Sequence, residues 1–346
     1  MIRVLVFDWG DTVMRVFPEY KGPMAHWPRV EAVPGVEDAL RTLYLRYQLA
    51  LATNAAESGC DLVRAALQRI GLDAYFDCVF TAREMGASKP EPAFFRAVLG
   101  ELGCAPHEAI MIGDNYRVDV VGAKEASMRA IWFNPTTSAC PVVHPLHDGE
   151  ARTMTELAAT AQDRYMPDMT ECLTLLAEQD VPPHTVRHSQ TVAAIAFRLA
   201  TWLKEYGATV NPLLAHRGGL LHDLAKITSQ GLNQSHGQVG AQALREQGYP
   251  ELASVIQRHS IFSIRDPTRR PVTWEEKLVY YADKIVEGDR VVGAQKRLED
   301  LCRLFPQSAE EIRYCLPFIT ALEAEICAGL GVSSIEEIIS DVGGGK

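Results

Sequence analysis

Short apolar runs alternate with amphipathic stretches along the first half of the chain. Five runs are rich in Val, Ile, Leu or Phe and end at or near Asp, Thr or Asn, which is the pattern of buried strands. They cover residues 2–7, 49–52, 78–80, 109–112 and 130–133. Helical patterns separate the runs, over residues 35–47, 61–70, 92–102 and 118–127. This alternation predicts an α/β domain in which helices cover both faces of a parallel sheet.

The second half of the chain follows a helical period throughout, which predicts an all-α bundle. Its apolar positions mark helices over residues 169–179, 185–206, 211–226, 236–247, 252–259 and 273–287, with further helices to about residue 339. Two of these helices begin with capping signals. Asn211 precedes Pro212, and Thr273 is followed three residues later by Glu276.

The two patterns meet in a segment with few periodic apolar positions. Residues 134–150 contain three prolines, which predicts a loop, and residues 155–165 predict one helix that closes the first domain. The chain has 346 residues, a length that is typical of about two domains. We therefore expect a multi-domain protein, with a first domain over residues 1–165 and a second over residues 168–346.

Composition narrows the class of protein. Hydrophobic residues make up 47% of the chain and charged residues 23%, which supplies two apolar cores and excludes disorder of the whole chain. No apolar stretch predicts a transmembrane helix or a signal peptide. The net charge of −10 disfavours nucleic-acid and anionic-membrane partners. Eight scattered cysteines without a C-x-x-C pair predict reduced thiols, and we expect a cytoplasmic protein.

Polar side chains follow the predicted strands of the first domain, at the edge where α/β sheets bind ligands. They are Asp8 after the first strand, Thr53 and Asn54 after the second, Lys89 after the third, and Asp114 after the fourth, with Asp119 five positions on. A carboxylate at a strand end can attack a phosphoryl group or bind Mg²⁺. A hydroxyl and an ammonium group can bind the other phosphoryl oxygens as charge develops. The pattern predicts phosphoryl-transfer chemistry.

In this order, the residues resemble the haloacid-dehalogenase-like hydrolase superfamily over roughly residues 1–165. The resemblance implies a Rossmann-like parallel sheet with Mg²⁺ as its cofactor. It implies Asp8 as the nucleophile and metal ligand, Thr53 and Lys89 as the groups that hold the phosphoryl oxygens, and Asp114 as a ligand of Mg²⁺. Asp119 would be the supporting carboxylate near the metal. We also expect Asn54 to contact the phosphate of the substrate.

Gly10 departs from the pattern of this superfamily. Its phosphatases carry a second Asp two residues after the nucleophile, as general acid and base. The backbone carbonyl of Gly10 can still bind Mg²⁺, but no side chain there protonates a leaving group, a step worth ~10²–10⁴-fold in rate. Asp11 replaces this acid only if the loop is re-aimed. Because of Gly10, the site is interpreted either as a competent phosphatase or as a slow, altered or metal-binding remnant. The large mobile cap of the superfamily is also missing.

Histidine and aspartate recur on apolar helical patterns of the second domain. His188 lies on one pattern, the adjacent pair His222 and Asp223 on another, and Asp283 on a third. A buried carboxylate needs a partner, and His with carboxylate is a ligand set for Fe, Mn, Co, Ni or Zn. These residues resemble the HD-domain metal-dependent phosphohydrolases over roughly residues 168–340. The resemblance implies all four as metal ligands.

Two further histidines, His236 and His259, lie between the His-Asp pair and the last Asp. The resulting order resembles the dinuclear branch of HD domains, which includes symmetrical diadenosine tetraphosphate hydrolases. In that interpretation Asp223 bridges two metals that activate a water. Mononuclear members need only the first four ligands, so a nucleoside-monophosphate phosphatase is one alternative. A di-iron HD oxygenase is a second alternative, and a nucleotide-sensing module without turnover is a third.

Basic residues near these motifs suit a phosphorylated substrate. Lys226 lies one helical turn after His222 and is expected to be catalytic, and Lys284 directly follows Asp283. Three arginines of one loop are further candidates, although a solvated loop is an equal alternative: Arg265, Arg269 and Arg270. We therefore predict a phosphohydrolase that acts on a nucleotide or dinucleoside polyphosphate. The other histidines are expected to be structural: His26, His107, His144, His147, His184 and His216.

Overall fold

The computed structural model describes residues 1–161 and 165–340, and it divides into two compact units. The first comprises Met1–Pro141 and Leu146–Tyr165, and the second comprises Val142–Pro145 and Met166–Lys346. Within the described residues, no helix is long and apolar enough to cross a membrane. All eight cysteines lie in the described part of the chain, and none of them is in a disulfide there.

A six-stranded parallel sheet forms the centre of the first unit. Its strands are β1 (Val4–Phe7), β2 (Gln48–Thr53), β3 (Cys78–Thr81), β4 (Ala109–Gly113), β5 (Arg129–Phe133) and β6 (Gly149–Ala151). They are ordered β3-β2-β1-β4-β5-β6, and every neighbouring pair is parallel. The strand order reverses between β1 and β4, and ligands of α/β sheets bind in the crevice at such a point. The five predicted strands and the α/β class are confirmed.

Helices cover this sheet through apolar faces. They are α1 (Val36–Tyr44), α2 (Cys60–Arg69), α3 (Ala82–Met85), α4 (Pro92–Leu102), α5 (Gly122–Glu125) and α6 (Met154–Thr160). In α1, Val36, Leu40 and Leu43 recur at helical spacing and pack into the same buried cluster as Leu5 of β1. Burial of such side chains contributes about 1.5–3 kcal/mol each to folding.

The structure of this unit differs from three of the sequence predictions. The loop predicted over residues 134–150 ends in β6, whose three residues pair with β5 and are too few for an apolar run to mark. The helix predicted over residues 118–127 is a π-helical turn, Tyr116–Val121, followed by α5. The helix predicted over residues 155–165 is α6, and residues 162–164 lie outside the described residues.

The second unit is helical, as predicted, with one short hairpin. Its helices are α7 (Met169–Glu178), α8 (Pro183–Glu205), α9 (Pro212–Leu221), α10 (His236–Glu246), α11 (Pro250–Gln257), α12 (Trp274–Ile285), α13 (Ala294–Leu304), α14 (Ala309–Leu330) and α15 (Glu336–Ile339). The hairpin pairs β7 (Val286–Glu287) with β8 (Arg290–Val291). Both predicted caps are confirmed: Asn211 accepts a hydrogen bond from the amide of Leu214, and Thr273 and Glu276 form a capping box.

Helix α9 lies at the centre of this bundle, and all ten of its residues are buried. Its last turn contains Gly218 and Gly219. A Cβ atom on Gly219 would lie 2.7 Å from the Cα atom of Ala193 in α8, so only glycine permits this close approach. The contact brings the carboxyl end of α9, which leads directly to His222, against the helix that carries His188.

Candidate active sites

The first unit gathers its predicted carboxylates at the crevice between β1 and β4. Asp8 follows β1, Asp114 follows β4, and Asp119 lies in the π-helical turn after β4. Their oxygen atoms lie within 4.8 Å of one another. The buried ammonium of Lys89 lies 2.5 Å from Oδ1 of Asp8 and 2.7 Å from Oδ1 of Asp119. The sequence pattern places Asp8 and Asp114 at strand ends, Asp119 five positions after Asp114 and Lys89 after the third strand, and the fold brings all four side chains together.

This cluster holds three carboxylates against one ammonium group. Burial, together with the charges of Asp8 and Asp11, raises the pKa of Asp114 to about 6. Burial, opposed by Lys89, raises the pKa of Asp119 to about 7. A divalent cation would relieve this excess of negative charge, and carboxylate oxygens are the ligands that Mg²⁺ prefers. The donor set therefore fits Mg²⁺.

Thr53 is the last residue of β2, and Asn54 follows it beside this cluster. The side chain of Asn54 exchanges two hydrogen bonds of 2.8 Å with the backbone of Lys89, one as donor and one as acceptor. The hydroxyl of Thr53 accepts a hydrogen bond from the amide of Ala55 at 3.2 Å. Asn54 thus positions Lys89, and its contact with a phosphate stays a prediction.

The loop after Asp8 does not supply the missing acid at position 10. Asp11 has a left-handed backbone (φ 53°), and its Oδ1 accepts a hydrogen bond from the amide of Val16 at 2.9 Å. A Cβ atom on Gly10 would lie 3.1 Å from Cγ2 of Val16, a contact that a small side-chain shift relieves. The loop therefore has room for a side chain at position 10, while the carboxylate of Asp11 caps the loop.

Two residues that sequence reasoning missed hold Asp114 in place. Thr12 is fully buried, and its hydroxyl lies 3.5 Å from Oδ1 of Asp114. The indole N–H of Trp132 donates a hydrogen bond to the backbone carbonyl of Asp114 at 3.0 Å. Thr12 follows Asp8 by four residues and was within reach of motif reasoning, whereas Trp132 becomes a neighbour only through the pairing of β4 with β5.

The second unit brings all six predicted ligands into two adjoining triads. One triad is His188, His222 and Asp283, and the other is Asp223, His236 and His259. The ligand atoms of each triad lie within 4.8 Å of one another, and all of these residues except His236 are buried. His236 opens α10 and is partly exposed.

Backbone carbonyls orient three of the four imidazoles. Nδ1 of His188 lies 2.9 Å from the carbonyl of Gly288, Nδ1 of His222 lies 2.7 Å from that of Gly219, and Nδ1 of His259 lies 2.5 Å from that of Ile256. A carbonyl only accepts hydrogen bonds, so each Nδ1 carries a proton, and in the neutral imidazole each Nε2 then offers a lone pair. Metal-ligating histidines are oriented in this way.

The lone pair of His222 has no hydrogen-bond donor within the described residues. Its Nε2 atom is buried, and the nearest carboxylate oxygens lie at 3.6 Å on Asp223 and 3.7 Å on Asp283. Burial lowers the pKa of His222, which favours the neutral ligand form. An unpaired lone pair that faces two carboxylate oxygens is stabilised by a cation between them. The mixed nitrogen and oxygen donors fit a divalent transition metal.

The oxygens of Asp223 face both triads. Its Oδ2 lies 3.6 Å from Nε2 of His222, and its Oδ1 lies 3.3 Å from Nε2 of His236 and 3.9 Å from Nε2 of His259. The two histidines of the second triad are themselves adjacent, with 2.7 Å between their Nε2 atoms. Asp223 is therefore placed where a ligand shared between two ions would lie.

The basic residues predicted to bind substrate take different positions. Lys226 is half-exposed and lies 2.6 Å from Oδ2 of Asp223. Lys284 is buried, and its ammonium contacts Asp283. Arg265 stacks on the ring of Tyr314, and Arg269 pairs with Asp266. Arg270 is exposed.

Several of the histidines that match no motif lie in other networks. His216 is fully buried, with Nδ1 2.7 Å from the guanidinium of Arg217 and Nε2 3.0 Å from His144. His147 is buried against the ring of Tyr116. These contacts agree with a structural role.

Comparisons with known proteins identify both units. Residues 7–133 match the family model of the haloacid dehalogenase-like hydrolases, and residues 185–287 match that of the HD domain. A phosphoserine phosphatase of Thermus thermophilus is 45% identical over 86 residues, which are 25% of this chain and 33% of that protein. A pyrophosphatase of Bacillus velezensis is 41% identical over 83 residues, 24% of this chain and 37% of that protein. An uncharacterized protein of Methanocaldococcus jannaschii is 31% identical over 154 residues, 41% of this chain and 88% of that protein.

These matches confirm the two resemblances drawn from the motifs. The first range contains Asp8 and Asp119, and the second contains His188 and Asp283, the outermost ligands of each motif. The chain spans about a third of the length of the two phosphatases named above. The narrower resemblance to diadenosine tetraphosphate hydrolases stays a prediction. The chain therefore joins a region that matches the haloacid dehalogenase-like hydrolase family, residues 7–133, to a region that matches the HD domain, residues 185–287.

Proposed function

We propose that the chain is a metal-dependent phosphohydrolase whose HD site cleaves a nucleotide or a dinucleoside polyphosphate with two transition-metal ions. The observation that carries this proposal is the pair of adjoining triads with Asp223 between them. His188, His222 and Asp283 would hold one ion, and His236 and His259 would hold the second ion. Asp223 would be a ligand of both. Fe, Mn, Co and Ni all suit such donors. The cytoplasmic location predicted from the sequence is part of this proposal.

Bound metals would polarise the phosphoryl oxygens and lower the pKa of a coordinated water. The protein's own contribution is orientation. The carbonyls of Gly219, Gly288 and Ile256 fix the tautomers of three ligands, so their lone pairs need no reorganisation. Lys226 is half-exposed and can leave Asp223 to bind a phosphate oxygen of the substrate, where it would stabilise the charge that develops.

A pair of variants of the full chain tests which site cleaves polyphosphates. His222→Ala should abolish hydrolysis of nucleoside triphosphates and diadenosine tetraphosphate, because it removes the central lone pair of the cluster. Asp8→Asn should leave that hydrolysis unchanged, because Asp8 belongs to the other unit. If Asp8→Asn abolished the hydrolysis and His222→Ala left it unchanged, the polyphosphate hydrolysis would belong to the site of the first unit. Activity on nucleoside monophosphates alone would favour the mononuclear alternative.

The two remaining alternatives use the same ligands differently. A di-iron oxygenase would consume O₂ in the presence of its substrate, whereas a phosphohydrolase releases phosphate or a nucleotide without O₂. A nucleotide-sensing module would bind nucleotide and release no product. The half-exposed ammonium group of Lys226 beside Asp223 favours a phosphorylated ligand, and this argues against the oxygenase alternative.

We also propose that the haloacid dehalogenase-like site binds Mg²⁺ and acts slowly on small phosphate esters. Asp8, Asp114, Asp119 and the carbonyl of Gly10 would surround the ion. Lys89 holds Oδ1 of Asp8 and would bind the phosphoryl oxygens together with Thr53. The phosphatase relatives support such an activity, while Gly10 removes the acid that protonates a leaving group. Substrates with good leaving groups, such as p-nitrophenyl phosphate, should therefore react best.

A further inference from the structure

Lys284 is a buried cation at the HD site. Its side chain is 6% exposed, and its ammonium contacts Oδ2 of Asp283. The same ammonium donates a hydrogen bond to the backbone carbonyl of His259 at 3.0 Å and lies 5.1 Å from the ring centre of Tyr280. Every one of these partners belongs to the bundle, so the ammonium is held in place by a carboxylate, a carbonyl and a ring face.

The two oxygens of Asp283 have different partners. Oδ2 is held by Lys284, whereas Oδ1 lies 3.1 Å from Nε2 of His188 and 3.7 Å from Nε2 of His222. Because the Nε2 atoms of both imidazoles face Oδ1, this is the oxygen directed toward the proposed metal site. The other oxygen is already neutralised by an ammonium group.

Lys226 offers an instructive contrast. It also contacts the outer oxygen of a ligand carboxylate, Oδ2 of Asp223, but its side chain is 46% exposed. The same Oδ2 lies 3.6 Å from Nε2 of His222, so Lys226 and a metal ion would compete for it. Lys226 can withdraw into solvent at little cost, whereas withdrawal of Lys284 would leave an unpaired charge in the core.

We propose that Lys284 is a positioning residue that restricts Asp283 to one metal-facing oxygen and offsets its charge, in place of the phosphate contact predicted from the sequence. This inference rests on the proposed metal site. It also explains why Lys284 reaches the carbonyl of His259: the contact joins helix α12, which carries Asp283, to the end of α11, which carries a ligand of the other triad. A permanent positive charge beside the first triad weakens the binding of a metal cation there.

The inference is tested by equilibrium binding of Co²⁺ to the metal-free full chain, measured by competition with a chelator and by visible absorption. Lys284→Met keeps the length of the side chain without its charge, and Lys284→Gln also keeps a donor for the carbonyl of His259. Each should bind Co²⁺ about tenfold more tightly than the wild type, because one positive charge close to the ion is gone. Their visible spectra should shift, since Asp283 can then offer both oxygens.

Lys277→Met is the matched control. Lys277 also lies on helix α12, and its ammonium lies 2.6 Å from a carboxylate oxygen of Glu325. Neither residue is a predicted metal ligand. This variant should bind Co²⁺ within about twofold of the wild type, because its charge is screened from the site. Equal or weaker binding by both Lys284 variants, with an unchanged spectrum, would overturn the inference.

The Lys284 substitution is also tested in a chain that carries Asp283→Asn, which separates its effect on Asp283 from effects on packing. In Asp283→Asn the carboxylate is absent, so adding Lys284→Gln should tighten binding by less than it does in the wild type, because only the through-space effect of the lost charge remains. If Lys284→Gln has the same effect in both backgrounds, it acts through something other than Asp283, and the inference is wrong. A wild-type chain that binds no Co²⁺ at all would instead refute the proposed metal site. The binding measurement needs no catalytic activity, so it separates these two failures.

Discussion

Nε2 of His222 lies 3.7 Å from Oδ1 of Asp283, and it receives no hydrogen bond within the described residues. The imidazole uses its Nδ1 proton to donate a hydrogen bond to the backbone carbonyl of Gly219. Nε2 of His222 and Oδ1 of Asp283 therefore face a position that suits a metal cation, and no hydrogen bond joins the two atoms. This relationship is the strongest structural support for a metal at the HD site.

The number of metal ions bound per chain should depend on whether both triads are intact. Purified full-length protein should contain about two transition-metal ions per chain, and His236→Ala should lower this number to about one, because it removes a ligand of the second triad only. The measurement is elemental analysis after gel filtration. His184→Ala is the control, since His184 is exposed at the start of α8. A wild-type value near one would instead demote His236 and His259 as ligands.

Restoring the missing acid should accelerate the haloacid dehalogenase-like site. Gly10→Asp is expected to raise kcat for phosphate esters with poor leaving groups by ~10²-fold or more, since general acid catalysis contributes that much. Gly10→Ala introduces the same Cβ atom, which lies 3.1 Å from Val16, without an acid. Phosphate release measured for both variants decides the question. Equal rates for the Asp and Ala variants would show that protonation of the leaving group does not limit this site.

The carboxylate cluster of the first unit should make Mg²⁺ binding dependent on pH. The folded protein raises the pKa of Asp114 to about 6, above the ordinary value of 3.8. The folded state therefore holds more protons than the unfolded state between these values, and stability of the metal-free protein should fall as pH rises through them. Mg²⁺ binds the ionised form and should reverse this loss.

Thermal unfolding of the full chain measures this linkage. We expect Mg²⁺ to raise Tm by a few degrees at pH 7.5 and by much less at pH 5, where Asp114 holds its proton. Asp114→Asn should reduce the difference between the two pH values, and the remaining difference should come from Asp119, whose pKa is raised to about 7. An equal Mg²⁺ effect at both pH values in the wild type would contradict the prediction.

The close contact of α9 with α8 should be sensitive to a single methyl group. In Gly219→Ala the new Cβ atom would lie 2.7 Å from the Cα atom of Ala193, so the helices must separate. We expect a loss of about 1–3 kcal/mol in the free energy of unfolding and a lower metal content. Denaturant unfolding and elemental analysis provide the two measurements.

Gly100→Ala is the control for this substitution. Gly100 lies inside α4, and nothing lies within 4 Å of a Cβ atom built there. Alanine at this position should be neutral or should stabilise the protein by about 0.4–1 kcal/mol. If Gly219→Ala behaves like Gly100→Ala, the helix contact does not require glycine.

Residues at strand ends and on helix faces were within reach of sequence reasoning. Asp8 and Asp114 follow apolar runs, and the carboxyl ends of parallel strands meet at one edge of the sheet, so their proximity follows from the pattern. His222 and Asp223 are adjacent and interrupt an apolar pattern of the sequence, which marks them as candidate ligands without a structure. The caps at Asn211 and Thr273 were predicted for the same reason: each signal lies within a few residues.

Features that depend on remote pairing were outside that reach. Strand β6 has three residues and exists because β5 offers it an edge. Trp132 touches the backbone of Asp114 only because β4 and β5 are paired. The basic character of Lys284 suggested a phosphate contact, but burial turns its ammonium toward Asp283.

The sequence by itself determined the two domain types and the identity of the candidate ligands, because local periodicity and motif spacing encode both. The tertiary structure decided the direction of each polar group. Backbone carbonyls of Gly219, Gly288 and Ile256 select which imidazole nitrogen carries the proton, and burial decides which lysine is fixed and which is free to move. A backbone carbonyl is the same group at every residue, so only the packing of remote segments determines which side chain it meets.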